Sequence, residues 1–231
     1  SEVIGLKQNS NGKTGVVYVR TTGLNQHGEA VMEYVRWVMV RKRNVDAPAP
    51  DTVVPDLPDA IAATDLMIPK GLDFTNYNFD LAGEPHRWGD YAIGEKIDHV
   101  DGVTVEEAEH MMATRLWQNT AKVHFDTSAR PDGTRLIYGG HVISMARALS
   151  FNGLANAQMM VGLNGGAHAN PCLSGDTIRA WSEVLDKAET SAPGVGAIRL
   201  RLVATKGGAP FDLRGEDGKY LPSVLLDLDY W

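Results

Sequence analysis

The stretch WQNTAKVHFD, residues 117–126, places an amide, an imidazole and a carboxylate within one short polar segment. His124 is suited to general acid–base catalysis, since an imidazole titrates near neutral pH. The amide of Asn119, five residues earlier, can both donate a hydrogen bond to a water molecule and accept one from it. Asp126 either hydrogen-bonds to the imidazole ring or faces solvent. The residues alone are thus consistent with the capped end of a helix or with an active site.

Two glycines, Gly139 and Gly140, directly precede the apolar pattern of a helix in GGHVISMARALSFNGL. The first turn of a helix carries N–H groups without intrahelical acceptors and the positive end of the helix dipole. Because glycine lets a ligand approach the backbone closely, the N–H near Gly140 is a candidate for stabilising a negatively charged oxygen. The alternative is a simple turn.

Two helices are predicted to position these residues. TVEE fits a capping box with Thr104 as N-cap and Glu107 three residues later, and apolar residues recur behind it at helical spacing. This pattern predicts a helix over 105–118, which ends at the polar segment. A second helix is predicted to begin at Gly139 and to stop near Gly153.

Most of the remaining chain has the alternating pattern of β-strands. Residues 15–24 and 29–42 predict a hairpin joined by the turn NQHG, and a proline-rich stretch over 44–87 predicts a long linker. Behind the second helix, strand patterns occur in AQMMVGLN, DTIRAWSEVLDKAE, VGAIRLRLVATK and SVLLDLDYW. The economical arrangement is an α+β fold in which an antiparallel sheet wraps around a helix.

The composition argues against several classes of protein. The net charge of −7 and the short basic clusters argue against nucleic acid as a partner. No apolar run approaches the roughly 20 residues of a membrane-spanning helix, so no membrane association is predicted. A single cysteine, Cys172, excludes an internal disulfide framework and predicts a cytoplasmic protein.

Neither a metal centre nor a phosphate-binding loop is predicted. The seven histidines show neither H-x-x-x-H nor H-E-x-x-H spacing. GLNGGAHANP, residues 162–171, matches neither GxGxxG nor GxxxxGK[ST]. We expect this glycine-rich segment to line a pocket or to connect two strands.

The order of these elements resembles the MaoC-like hydratases over about residues 88–231. The catalytic motif of that family is D-x-N-P-x-H, and His124 falls at its histidine. Asn119 stands where the family has an aspartate, and an Ala-Lys pair replaces the Asn-Pro pair. NPCLSGDTI, residues 170–178, resembles the P-V-x-x-G-D-T-L that enters a strand in the family. The resemblance implies a hot-dog fold.

As a whole, the chain resembles family members that contain two hot-dog units. That resemblance implies closing strands of an incomplete N-terminal unit over residues 1–43, a linker over 44–87 and a C-terminal hot-dog domain over 88–231. The helix of the first unit has no counterpart in the sequence. The sequence is therefore expected to be a fragment whose N-terminal portion lies elsewhere.

The resemblance also implies a hydro-lyase that reversibly hydrates a short branched enoyl-CoA thioester, with CoA as part of the substrate and no separate cofactor. His124 would act as the base, Asn119 would position the water, the N–H near Gly140 would stabilise the oxyanion, and Asp126 would support the histidine. A homo-oligomer, or pairing with the missing unit, is expected. The alternatives are a non-catalytic hot-dog half that shapes an acyl-CoA tunnel and a hot-dog thioesterase.

Overall fold

The computed structural model describes residues 1–208 and 210–231, and the chain divides into two compact units. The first unit comprises Ser1–Pro58 and the second Asp59–Trp231. Part of the proline-rich stretch over 44–87 therefore belongs to each unit. Among the described residues, no helix combines the length and the apolar content that crossing a membrane requires.

The first unit is a three-stranded antiparallel sheet. In pairing order its strands are β1 (Glu2–Gln8), β2 (Thr14–Leu24) and β3 (Ala30–Arg41). The side-chain oxygen of Asn25 accepts hydrogen bonds from the N–H groups of His27 and Glu29 in the turn between β2 and β3. Gly28 has a φ of 79° there, which glycine adopts without steric cost. The predicted hairpin is confirmed.

Apolar side chains of this sheet are not covered within the first unit. Val31, Met32, Trp37 and Met39 of β3 are exposed, and the unit contains no helix. A small sheet needs an apolar face packed against another element to be stable in water. The sheet is therefore expected to pack against residues outside its own unit.

The second unit is a five-stranded antiparallel sheet wrapped around one helix. In sheet order the strands are β4 (Lys96–Thr104), β6 (Thr177–Glu189), β7 (Gly196–Lys206), β8 (Val224–Tyr230) and β5 (Leu163–His168). The helices are α1 (Phe79–Ala82), α2 (Glu107–Leu116), α3 (Gly139–Leu149) and α4 (Phe151–Leu154). Because α3 packs against β4, β6, β7 and β8, the predicted α+β arrangement is confirmed.

Apolar periodicity explains the position of α3. Val142 and Ala146, one turn apart, are buried on the same face of this helix. Inward residues of the strands, among them Val184, Leu200 and Leu226, belong to the same core. Buried apolar area contributes roughly 25 cal/mol per Å² to stability, so this packing holds α3 firmly against the sheet.

Some element boundaries differ from the prediction. Thr104 ends β4, where its hydroxyl hydrogen-bonds to that of Thr177 at 2.8 Å, and Glu106 rather than Thr104 is the N-cap of α2. The strand predicted in AQMMVGLN begins only at Leu163. The predicted stop near Gly153 is confirmed, because this residue leaves helical geometry with a φ of 92°.

Candidate active site

His124 ends a short 3-10 helix, Lys122–His124, within the polar segment. Its Nδ1 atom lies 2.8 Å from the backbone oxygen of Leu136, and the N–H of Leu136 donates to the oxygen of Val123 at 2.9 Å. Because a carbonyl oxygen only accepts hydrogen bonds, the neutral ring carries its proton on Nδ1. Nε2 then has a free lone pair, which is the form that a general base requires.

Arg135 is a buried cation that ties this turn to α2. Its guanidinium donates to the carboxylate of Glu107 and, at 3.0 Å, to the backbone oxygen of the same residue. It also donates to the backbone oxygen of His124 at 3.4 Å. The planar guanidinium, with five donors in a fixed geometry, therefore fixes the backbone of His124 relative to α2.

A second histidine, His110 of α2, is fully buried beside the same turn. Its Nε2 atom accepts a hydrogen bond of 3.1 Å from the N–H of Tyr138, and its Nδ1 atom lies 3.4 Å from the Arg135 guanidinium. Burial, followed by the charges of His141 and His124, lowers the pKa of His110 to about 4. His110 is therefore neutral near pH 7 and holds the residue that precedes α3.

We expect this histidine to make the protein less stable in acid. The pKa of His110 is about 4 in the folded state and 6.5 ordinarily, so the unfolded state takes up the proton first as pH falls. At about 1.4 kcal/mol per pKa unit, up to about 3 kcal/mol of unfolding free energy is lost between these two values. Urea unfolding from pH 7 to pH 4 measures the loss. His110→Gln should remove this part of the pH dependence, and an unchanged dependence would contradict the assignment.

The N-terminus of α3 presents two open backbone donors. The N–H groups of Gly139 and Gly140 have no acceptor among the described residues, whereas that of His141 donates to the oxygen of Tyr138 at 3.0 Å. A methyl group on Gly139 would overlap the imidazole of His168, and one on Gly140 would lie 2.6 Å from the Tyr138 ring. Glycine is therefore required at both positions for this packing, and the pair fits an oxyanion site.

The ring of Tyr138 connects His124 with this helix terminus. Its centroid lies 6.1 Å from that of His124, 6.0 Å from that of His141 and 6.0 Å from that of Trp117. The structure thus brings His124 and the N-terminus of α3 into one cluster of rings. These are the two groups for which the sequence predicts a base and an oxyanion site.

Asn119 is engaged in a local turn. Its side-chain oxygen accepts a hydrogen bond of 3.0 Å from the N–H of Ala121, just beyond α2. The left-handed residue at this helix end is Gln118, with a φ of 52°, and not Asn119. An open depression is lined by Asn119 and Phe125 but not by His124. The role of the Asn119 amide in positioning water stays a prediction.

Asp126 does not hold the ring of His124. Its carboxylate accepts hydrogen bonds from the N–H of Ser128 at 3.0 Å and from the hydroxyl of the same residue at 2.6 Å. These bonds also lower the pKa of the Asp126 carboxyl. The supporting role predicted for Asp126 is corrected accordingly, because the backbone oxygen of Leu136 makes the contact with the ring.

We expect Asp126→Ala to leave kcat and KM for the hydration that the resemblance implies within about twofold of the unmodified values. The carboxylate caps the 3-10 helix Thr127–Ala129, so the variant should be slightly less stable. Steady-state kinetics and thermal unfolding measure the two effects separately. A fall in kcat of more than about tenfold would restore the supporting role.

Several residues of this cluster escape sequence analysis. The Nε2 atom of His141 lies 3.0 Å from the Glu109 carboxylate, yet this buried atom has no hydrogen-bond partner among the described residues. His168 belongs to the segment that the sequence assigns to a pocket lining or a strand connection. Arg135 lies in the sequence between His124 and His141, and its charge is a sign that this segment has polar contacts. Its sequence spacing from His110 does not indicate that the two residues meet.

The remaining ionisable groups supply neither a metal site nor a thiolate. Among the described residues, no three or more His, Cys, Asp or Glu side chains are arranged to hold a metal ion. Burial raises the pKa of the Cys172 thiol to about 11. The thiol therefore stays protonated near neutral pH and is a poor nucleophile.

Comparisons with known proteins place the chain in a family. No model of a protein family matches the chain, so its membership rests on individual relatives. Over its full length it is 77% identical to the mesaconyl-CoA hydratase of Cereibacter sphaeroides, of which it covers 68%. The chain belongs to the mesaconyl-CoA hydratase family. It is also 57% identical to the β-methylmalyl-CoA dehydratase of Chloroflexus aurantiacus and covers 67% of that relative. The predicted class of enzyme, a hydro-lyase, is confirmed.

Solved structures agree with this membership. The crystal structure of a MaoC domain dehydratase from Chloroflexus aurantiacus matches with a TM-score of 0.92 and 57% identity, over 99% of this chain and 67% of that one. A double hot-dog protein from Mycobacterium tuberculosis matches with a TM-score of 0.67 at 22% identity, over 99% and 66% of the two chains. The predicted hot-dog fold and the resemblance to MaoC-like hydratases are confirmed.

Proposed function

We propose that this protein reversibly hydrates mesaconyl-CoA to β-methylmalyl-CoA. The observation that carries the proposal is the Nδ1 contact of His124 with Leu136, which leaves Nε2 as a free base in the ring cluster beside α3. The names of the relatives at 77% and 57% identity supply the substrate and the product. CoA enters as part of the substrate, and the proposed steps call for no other cofactor.

In the hydration direction, Nε2 of His124 takes a proton from water while the water oxygen bonds to the β-carbon of the double bond. The electron pair of the double bond moves towards the thioester carbonyl, whose oxygen becomes negative. The open N–H groups of Gly139 and Gly140 donate hydrogen bonds to that oxygen. The imidazolium then returns its proton to the α-carbon, so one water has been added and the base is regenerated.

The amide of Asn119 is proposed to position the attacking water. Its oxygen is already bonded to the N–H of Ala121, so its side-chain nitrogen is the group that can donate to the water. An amide does not exchange a proton as a carboxylic acid does. His124 therefore handles the proton in both steps.

The organisation of the whole protein is also a proposal. Residues 1–43 are the closing strands of an N-terminal hot-dog unit, 44–87 connect the units and 88–231 form the C-terminal hot-dog domain. The exposed apolar side chains of β3 support this arrangement, since the rest of an N-terminal hot-dog unit would cover them. We further propose pairing of hot-dog units in an oligomer and a cytoplasmic location, the latter because the one cysteine is a free thiol.

Hydration of mesaconyl-CoA by the full-length protein tests the proposed function. The loss of enoyl-thioester absorbance reports hydration, and mass spectrometry should show a product heavier by one water. A parallel assay for free thiol distinguishes a thioesterase, which would release CoA. The proposed function is overturned if folded full-length protein releases CoA or leaves the double bond intact.

A further inference from the structure

A cavity of about 230 Å³ lies in the second unit, bordered by the segment over residues 59–91, which we call the strap. Hydrogen bonds anchor the strap at both ends. The indole N–H of Trp231 donates to the oxygen of Ile61 at 3.1 Å, and the indole N–H of Trp88 donates to the oxygen of Ala197 at 2.8 Å. The cavity is therefore part of the folded unit.

The walls of this cavity are largely apolar. They include the aromatic side chains of Phe74, Phe79, Trp88 and Trp231. Cavities of about 150 Å³ with apolar walls can hold benzene. The strap cavity is larger, so it has room for a molecule with one ring or a short chain and a polar head.

The charged side chains that line the cavity are both arginines. Arg147 is half-buried and donates to the hydroxyl of Ser150 at 2.7 Å and to the backbone oxygen of Ala157, which are neutral acceptors. Arg87 stacks over the ring of Phe79 at 3.8 Å. No aspartate or glutamate lines the cavity, and neither arginine has a carboxylate partner among the described residues.

Arg147 and Arg87 thus place two positive charges without carboxylate partners among the described residues beside an apolar cavity, in a protein with a net charge of −7. Arg147 is half-buried without a counter-charge, and its neutral acceptors replace only part of the solvation that its guanidinium loses, whereas Arg87 is exposed. A carboxylate would restore that interaction, and its hydrocarbon part would fill the apolar space. We propose that the strap cavity is a binding site for a small apolar carboxylate, of about the size of benzoate or hexanoate.

This site is distinct from the proposed active site. Arg147 lies in the last turn of α3, eight residues beyond Gly139, which is roughly 12 Å at 1.5 Å per residue. None of His110, His124, Tyr138 and His168 lines the cavity. The proposal therefore does not depend on the hydratase chemistry.

Calorimetric titration of the full-length protein with benzoate tests the proposal, with benzyl alcohol as the uncharged probe of the same shape. We expect saturable binding of benzoate and at least about tenfold weaker binding of the alcohol, because the carboxylate makes charge-assisted hydrogen bonds. Arg147→Met keeps an unbranched side chain but removes the charge, and it should weaken benzoate binding by about tenfold or more.

Two further variants keep the test decisive. Arg87→Met removes the second charge. Because the Arg87 side chain makes no hydrogen bond among the described residues, this variant should fold, and it tests the site even if Arg147→Met does not fold. Arg115→Met, at an exposed position of α2, is the matched control and should bind benzoate normally. The site is refuted if benzoate does not bind, binds no better than benzyl alcohol, keeps its affinity in folded variants lacking Arg147 or Arg87, or is displaced by substrate.

Discussion

Replacing His124 with alanine lowers kcat for hydration of mesaconyl-CoA by at least about two orders of magnitude. General acid–base catalysis typically contributes 10² to 10⁴-fold, and His124 handles the proton in both proposed steps. KM should change little, because the imidazole acts on water and on the reacting carbons rather than on CoA. Steady-state kinetics on the full-length protein measure both constants.

His27→Ala is the matched control for this variant. His27 lies in the exposed turn between β2 and β3, so its loss should leave kcat and KM unchanged. Thermal unfolding of both variants checks that the fold is retained. Near-normal activity of folded His124→Ala would place the base outside residues 88–231 and would make this domain the non-catalytic half that shapes the tunnel.

Gly140→Ala is expected to lower kcat by about one to two orders of magnitude. Its methyl group would lie 2.6 Å from the Tyr138 ring, so this ring must move within the cluster that contains His124. The methyl group would also crowd the open N–H groups, and removal of one oxyanion donor typically costs about 10² to 10³-fold. Any loss of stability should come from the displaced Tyr138 ring, and thermal unfolding measures it separately from kcat.

Gly165→Ala is the control for this second substitution. A methyl group on Gly165 of β5 would meet no other atom within 4 Å, so neither kcat nor the unfolding temperature should change much. The comparison separates the loss of a glycine from the crowding of the helix terminus. Activity of Gly140→Ala close to that of Gly165→Ala would remove the oxyanion role from the N-terminus of α3.

Local patterns predicted much of the second unit. Helical spacing and the glycine pair identified α3, and strand alternation identified β6, β7 and β8. These signals depend on residues only a few positions apart, so they can be read without the path of the chain. The capping box predicted the wrong N-cap for α2. Thr104 instead pairs with Thr177 and extends β4, so a contact across 73 residues overrides the local preference for a helix cap.

The candidate site was predictable only in part, because long-range contacts also determine the surroundings of its residues. The sequence nominated His124 and Gly140 for these proposed roles because an imidazole and a glycine at a helix N-terminus are properties of single residues and their immediate neighbours. It offered Asp126 as a partner of the His124 ring or as a solvent-facing residue, whereas the backbone oxygen of Leu136, twelve residues from His124, makes the contact with the ring. A side-chain hydrogen bond depends on which backbone atoms the fold brings near, and proximity in sequence does not decide that.

By itself, the sequence determined the class of fold and nominated His124 as the base, since apolar periodicity and residue chemistry are written into the chain. Only the tertiary structure decided what surrounds that base. His110 and Arg135 meet across 25 residues, and His168 reaches Gly139 from an edge strand of the sheet. Such contacts arise because packing of the sheet around α3 brings distant segments to one helix end. Burial there lowers the pKa of His110 to about 4, a property that its place in the sequence does not reveal.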